Sequence, residues 1–175
     1  MSPWFGRRAD PQPVEDAAVH YVSACTTINA SPREVWDLIK PPENSVLLSP
    51  DIVRGFRAPS VEGAREVQVF ILVRDGVEHV SALEVVEEIP QELAITRPLG
   101  AHDPAARMRT SLRPGRNGGT VLEVGQYFSL PAESAGYFFQ YEQHYKLHFR
   151  QYVERVKAFL EQTTFGGPGS QGRDS

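Results

Sequence analysis

AGYFFQYEQHYKLHFRQYVERVKAFL, residues 135–160, decides the fold. Within it Phe138, Tyr145, Tyr152 and Phe159 recur at seven-residue spacing, and Tyr141, Phe149, Val156 and Leu160 widen the same stripe. That period places them on one side of an α-helix, with Gln143, Lys146, Gln151, Glu154 and Lys157 on the other. A helix over residues 135–160 with a continuous aromatic stripe must lie along something apolar. The only sizeable partner the rest of the chain offers is a sheet.

That sheet is legible upstream. Val22, Ala24, Thr26 and Ile28 alternate with Tyr21, Ser23, Cys25 and Thr27, which predicts a strand over residues 20–29. Ser31 follows as an N-cap, Pro32 sits at the first helical position, and Glu34 completes a capping box. Val35, Trp36, Leu38 and Ile39 form the buried face of this short helix, and Pro41-Pro42 ends it. A second short helix is expected over residues 43–48, stopped before Pro50.

Six further strands are expected: 53–58, 65–74, 77–88, 92–97, 107–113 and 120–130. Asp75-Gly76 is a hairpin signal, and Asn117 with its neighbouring glycines suits a turn with positive backbone angles. Strands joined by short links indicate an antiparallel meander rather than alternating strand–helix units. The expected fold class is therefore α+β, with one domain over residues 19–162. Residues 1–18 and 163–175 are polar, Pro- or Gly-rich and aperiodic, and read as flexible tails.

Composition narrows the function classes. The chain has 175 residues, 41% hydrophobic and 23% charged, enough for one domain with a real core. A formal net charge of −4 argues against nucleic acid as the main partner. Cys25 is the single cysteine, so no disulfide forms within the chain; it reads as a small strand residue rather than a reactive thiol. No apolar run approaches the roughly 18–20 residues of a membrane span, and Arg7-Arg8 is not followed by an apolar stretch, so a cytoplasmic location is expected.

The local residues carry a family likeness. Ile28-Asn-Ala30-Ser-Pro32-Arg-Glu-Val35-Trp36-Asp-Leu38-Ile39 resembles the opening signature of many bacterial members of the SRPBCC, START or Bet v 1-like helix-grip superfamily. Glu84-Val85-Val86-Glu87-Glu-Ile-Pro90-Gln-Glu-Leu93 is similar to its strand–turn–strand segment, and Gly118-Gly119-Thr120-Val121-Leu122-Glu123 to its late hairpin. The likeness covers residues 21–160. It implies a curved seven-stranded sheet wrapped around the long helix, with a cavity between them. Members of that superfamily bind lipids, sterols, hormones or polyketides, and some catalyse cyclisation or dehydration.

Alternation then nominates cavity residues. Leu122, Val124, Gln126, Phe128 and Leu130 share the more apolar face of the last strand, which turns Gln126 inward. Met108, Thr110 and Leu112 face in by the same logic, while Arg107, Arg109, Ser111 and Arg113 face out. In residues 67–73 both faces are apolar and alternation does not choose. The helix adds Phe138, Tyr141, Tyr145, His148 and Tyr152; buried tyrosine hydroxyls need partners, and a ligand is one. The expected ligand-binding set is Met108, Thr110, Gln126, Phe128, Phe138, Tyr141, Tyr145 and His148.

His148 is also the candidate general acid or base. His144 and His148 stand one helical turn apart, but HYKLH lacks the glutamate a zincin requires, so no metal and no other cofactor is expected. The leading expectation is binding or transport of a small hydrophobic molecule. The alternatives are a cyclase, aromatase or dehydratase acting on a polyketide, and a protein-interaction module whose interior is filled by side chains.

Overall fold

Ser31 and Glu34 start the first helix by reciprocal hydrogen bonds. The Ser31 hydroxyl accepts from Glu34 N–H at 3.3 Å, and the Glu34 carboxylate accepts from Ser31 N–H at 2.8 Å. The helix, α1, runs Pro32–Ile39, and Lys40 closes it by donating its N–H to the Trp36 carbonyl. In this computed structural model residues 18–59, 62–130 and 132–165 are described. The tails expected at 1–18 and 163–175 lie outside them, except that Ala18 opens the first strand and 163–165 end the last helix.

Seven strands form one antiparallel sheet: β1 Ala18–Ile28, β2 Ile52–Arg57, β3 Val67–Arg74, β4 Val77–Ile89, β5 Leu93–Pro98, β6 Arg107–Pro114 and β7 Thr120–Leu130. Their spatial order is β1-β7-β6-β5-β4-β3-β2. From β2 to β7 this is the expected meander. β1 instead pairs with β7, Ile28 against Thr120 and Ala18 against Leu130. Asp75 and Gly76 turn the β3–β4 hairpin with φ of 51° and 75°, as a primed turn requires.

The expected second helix is shorter than its sequence suggested. Residues Pro42–Asn44 make a 3-10 turn that passes into a single turn, α2, at Ser45–Leu48. The Asn44 amide is engaged elsewhere, donating to the Leu38 carbonyl at 2.9 Å at the open end of α1. A 3-10 turn over Ala132–Tyr137 likewise precedes the long helix, α3, Phe138–Phe165.

The core sits between α3, α1 and the inner faces of β1, β6 and β7. Ile28, Val35, Trp36, Leu122, Phe149 and Val153 belong to one buried cluster; Val22, Phe128 and Leu130 form a second, against which Phe138 and Tyr145 pack. Val153, outside the expected stripe, is fully buried beside Val156. On the outer face Arg107 and Arg113 are exposed, but Arg109 lies across Ser111, donating to its hydroxyl at 3.0 Å, and buries it.

Among the described residues no helix is long and apolar enough to cross a membrane.

Candidate functional site: a cavity between sheet and helix

Between the sheet and α3 lies a cavity of about 370 Å³. From Phe149 to Val156 the helix packs down on the sheet's β1 side, while His148 and Tyr152 turn toward β3–β6 and roof an unfilled space. The sheet supplies the floor, with Phe70, Leu83, Val85 and Val124 as its apolar centre.

Polar groups stand on that floor in register. Gln126 of β7 pairs with Met108 of β6, and Met108 with Thr96 of β5, so Gln126 and Thr96 flank one methionine. Thr110 lies one pleat along, between Val124 and Ala94, and Ser81 of β4 opposes Phe70 of β3. The side chains of Ser81, Thr96, Thr110 and Gln126 have no hydrogen-bond partner among the described residues, although all line the cavity. Nor has the Tyr152 hydroxyl. Burial pushes Tyr152 up to about 12, so it is a neutral donor at any physiological pH.

Charged groups sit at the two ends of β3, whose inner face is Gln68, Phe70, Leu72 and Arg74. From Gln68 to Arg74 a strand spans about 20 Å. At the Gln68 end Lys40, with its side chain only 12% exposed, pairs with Glu66 at 3.0 Å and Glu88 at 2.6 Å. The Gln68 amide donates to Glu66 at 2.8 Å. Burial works against the Glu66 carboxylate, but the Gln68 and Lys40 hydrogen bonds outweigh it and hold its pKa below the ordinary value. The Lys40 charge is thus satisfied within the protein.

At the other end Asp51, Arg74 and His148 meet at the mouth. Val73 N–H donates to the Asp51 carbonyl at 2.8 Å, which holds Asp51 beside β3. Its carboxylate lies 3.9 Å from Arg74 Nε. Burial lowers the His148 pKa, and the charges of Arg74, His144 and Arg155 lower it further against the opposing pull of Asp51. The imidazole is therefore neutral at pH 7.

Of the residues nominated from sequence, the cavity brings together Met108, Thr110, Gln126 and His148. Phe128, Phe138 and Tyr145 are not in its wall. Phe138 packs against His20 with ring centroids 4.4 Å apart and the rings tilted by 33°, and the Tyr145 ring centroid lies 5.5 Å from that of Phe128 and 6.0 Å from that of Phe149. Tyr141 is 48% exposed. It shares a helix face with His148 but lies seven residues, about 10 Å, nearer the helix start.

Sequence reasoning left Gln68 and Phe70 undecided and passed over Arg74; Tyr152 stands among its cavity-side helix residues but not in its ligand-binding set. The signal for the first three is a polar residue at each end of an apolar alternating set; for Tyr152 it is the i+4 spacing from His148. Among the described residues no group of three or more metal-ligating side chains comes together.

No protein-family model matches the sequence, and no curated protein matches it. Solved structures do. A START superfamily protein from Mycobacterium smegmatis superposes with a TM-score of 0.64 at 15% identity, covering 82% of this chain and 99% of that one. The Zhui aromatase/cyclase from Streptomyces sp. R1128 gives 0.65 at 12% identity, covering 89% and 100%. The di-domain aromatase/cyclase StfQ of the steffimycin biosynthetic pathway gives 0.65 at 12% identity, covering 84% of this chain and 52% of that one. These likenesses are of fold: a seven-stranded antiparallel sheet gripping a long C-terminal helix is the helix-grip fold of START-like proteins.

Proposed function

We propose that this protein binds a small, largely apolar molecule carrying a few oxygen or nitrogen functions in the cavity between its sheet and α3. One observation carries the reading. The cavity wall is mostly apolar, yet Ser81, Thr96, Thr110, Gln126 and Tyr152 stand on it without hydrogen-bond partners among the described residues. Apolar walls bury a ligand and a few convergent polar groups orient it. A side-chain-filled interaction module does not fit a cavity of about 370 Å³. Titration with the neutral dye N-phenyl-1-naphthylamine tests this. Saturable binding at one dye per chain is expected, lost when Val124→Trp fills the space. Absence of saturable binding to the folded protein overturns the reading.

Catalysis is the second reading, favoured by His148. A neutral imidazole at the cavity mouth, beside Arg74, is placed to take a proton from a bound substrate. With a poly-β-ketone as test substrate, His148→Gln is expected to lower turnover about a hundredfold or more while binding persists. Unchanged turnover in that variant excludes His148 as the base.

A further inference from the structure

The cavity is apolar and its floor carries only neutral polar groups, but its mouth is charged. Two cationic side chains line the cavity among the described residues, Lys40 at its far end and Arg74 at the mouth, and they are in different states. Lys40 is held by two carboxylates, Glu66 and Glu88, neither of which lines the cavity. Arg74 has one polar contact, Nε to Asp51 at 3.9 Å, too long for a hydrogen bond. Its guanidinium offers five N–H donors in a planar fork, and none is satisfied by a described residue.

We infer that the ligand of this cavity carries a carboxylate or similar anionic group, gripped at the mouth by Arg74, with its apolar body running inward over Phe70 and Leu83. The inference deepens the binding function proposed above and rests on it.

Three features support an anion. Asp51 is the single acidic side chain in the wall among the described residues, and at 3.9 Å from Nε it leaves the guanidinium, 60% exposed, open to a bidentate partner. Two arginines, Arg74 and Arg155, act on His148 at this end of the cavity, against the carboxylate of Asp51. The chain as a whole is at −4, so this cationic spot is an exception to its surface charge. Finally, Ser81, Thr96, Thr110 and Gln126 cannot neutralise a ligand's charge, so a charged ligand has its counter-charge only at Arg74. A cationic ligand would meet Arg74 at the mouth instead, with Asp51 as the single carboxylate of the wall among the described residues.

A matched pair of probes tests this: naphthalene-2-acetic acid and its neutral amide, titrated by calorimetry at low salt. The acid is expected to bind about tenfold more tightly or better, a charge-assisted hydrogen bond's worth. Arg74→Gln should bring the acid down to the amide's affinity and leave the amide unchanged; Arg74→Lys should restore part of the difference. Equal affinities in the unaltered protein overturn the anion anchor and leave the binding function standing. So does binding of N-phenyl-1-naphthylamine with neither probe bound. If Arg74→Gln loses acid, amide and dye together, Arg74 shapes the wall rather than holding an anion, and the inference fails. If no dye binds the folded protein at all, both readings fall.

Discussion

Asp103 holds Ser129 by both of its hydrogen-bonding groups: its carboxylate accepts from the Ser129 N–H and from the Ser129 hydroxyl, each at 2.7 Å. It also accepts from Ala105 N–H at 2.9 Å. The loop between β5 and β6 is thereby pinned to the end of β7. Burial opposes the charge on Asp103, but these three donors outweigh it and hold its pKa below the ordinary value. Asp103→Ala is expected to cost about 1–3 kcal/mol in urea unfolding, because it strands a backbone donor. A depressed carboxylate stabilises above its unfolded pKa and loses that contribution as pH falls through the folded value. The Asp103 share should therefore vanish only in strong acid, below about pH 4. A variant as stable as the parent at pH 7 contradicts the pinning role.

Two glycines make opposite predictions about rescue. A Cβ on Gly125 would lie 2.6 Å from the Tyr21 hydroxyl, and one on Gly55 would collide with the Pro42 carbonyl. Gly125→Ala is expected to destabilise by about 1–3 kcal/mol, and adding Tyr21→Val should recover part of that, the 2.7 Å approach to Ser23 Cβ remaining. Gly55→Ala meets backbone, so no single side-chain truncation should relieve it. Equal behaviour of the two in thermal melts would refute the stacking of Tyr21 over Gly125.

Two tyrosines on α3 should part company in ligand binding. Tyr152 lines the cavity with a free hydroxyl, whereas Tyr145 packs between Phe128 and Phe149. Tyr152→Phe should weaken an oxygen-bearing ligand by about 0.5–1.5 kcal/mol without disturbing the fold. Tyr145→Phe should leave the affinity unchanged. The reverse result in competition titrations would place the ligand elsewhere.

His148 predicts a pH dependence near neutrality. Its folded pKa is lowered, so in the window below about 6.5 the unfolded chain takes up a proton that the folded chain refuses. Acidification through that window therefore removes stability, and raising the pH restores it. The parent should lose more stability between pH 7.5 and 5.5 than His148→Gln does. Asp103 and Glu66 titrate below this range and do not mask it. Identical slopes would mean that His148 is as well solvated folded as unfolded.

What the sequence disclosed was local or periodic. The capping box at Ser31 and Glu34 needs three residues, and the Asp75-Gly76 turn two, so both read directly. β7 alternates cleanly because one of its faces meets the core and the other lies under Tyr21 and Arg109. β3 has apolar residues on both faces, so the choice of Gln68, Phe70, Leu72 and Arg74 as cavity wall came only with the sheet. Periodicity on α3 assigns a helix face but not a height along the axis. Tyr141, Tyr145 and Tyr152 therefore read alike on one stripe, and only Tyr152, deeper in, lines the cavity. The partners of Lys40, Glu66 and Glu88, lie far off in the chain and leave no spacing to read.

The pairing of β1 with β7 sets an order of assembly. β2 to β7 can zip up hairpin by hairpin, each strand next to the one just made. Ala18–Ile28 cannot: its strand partner is Thr120–Leu130, and closing that loop encloses nearly the whole domain. The N-terminal strand is therefore made first and paired last. Until then it is an orphan strand, and β7 presents an open edge of matching register. Those two surfaces fit each other equally well between molecules as within one. At high concentration during refolding, exchange of β1 between two copies is the misassembly this topology invites.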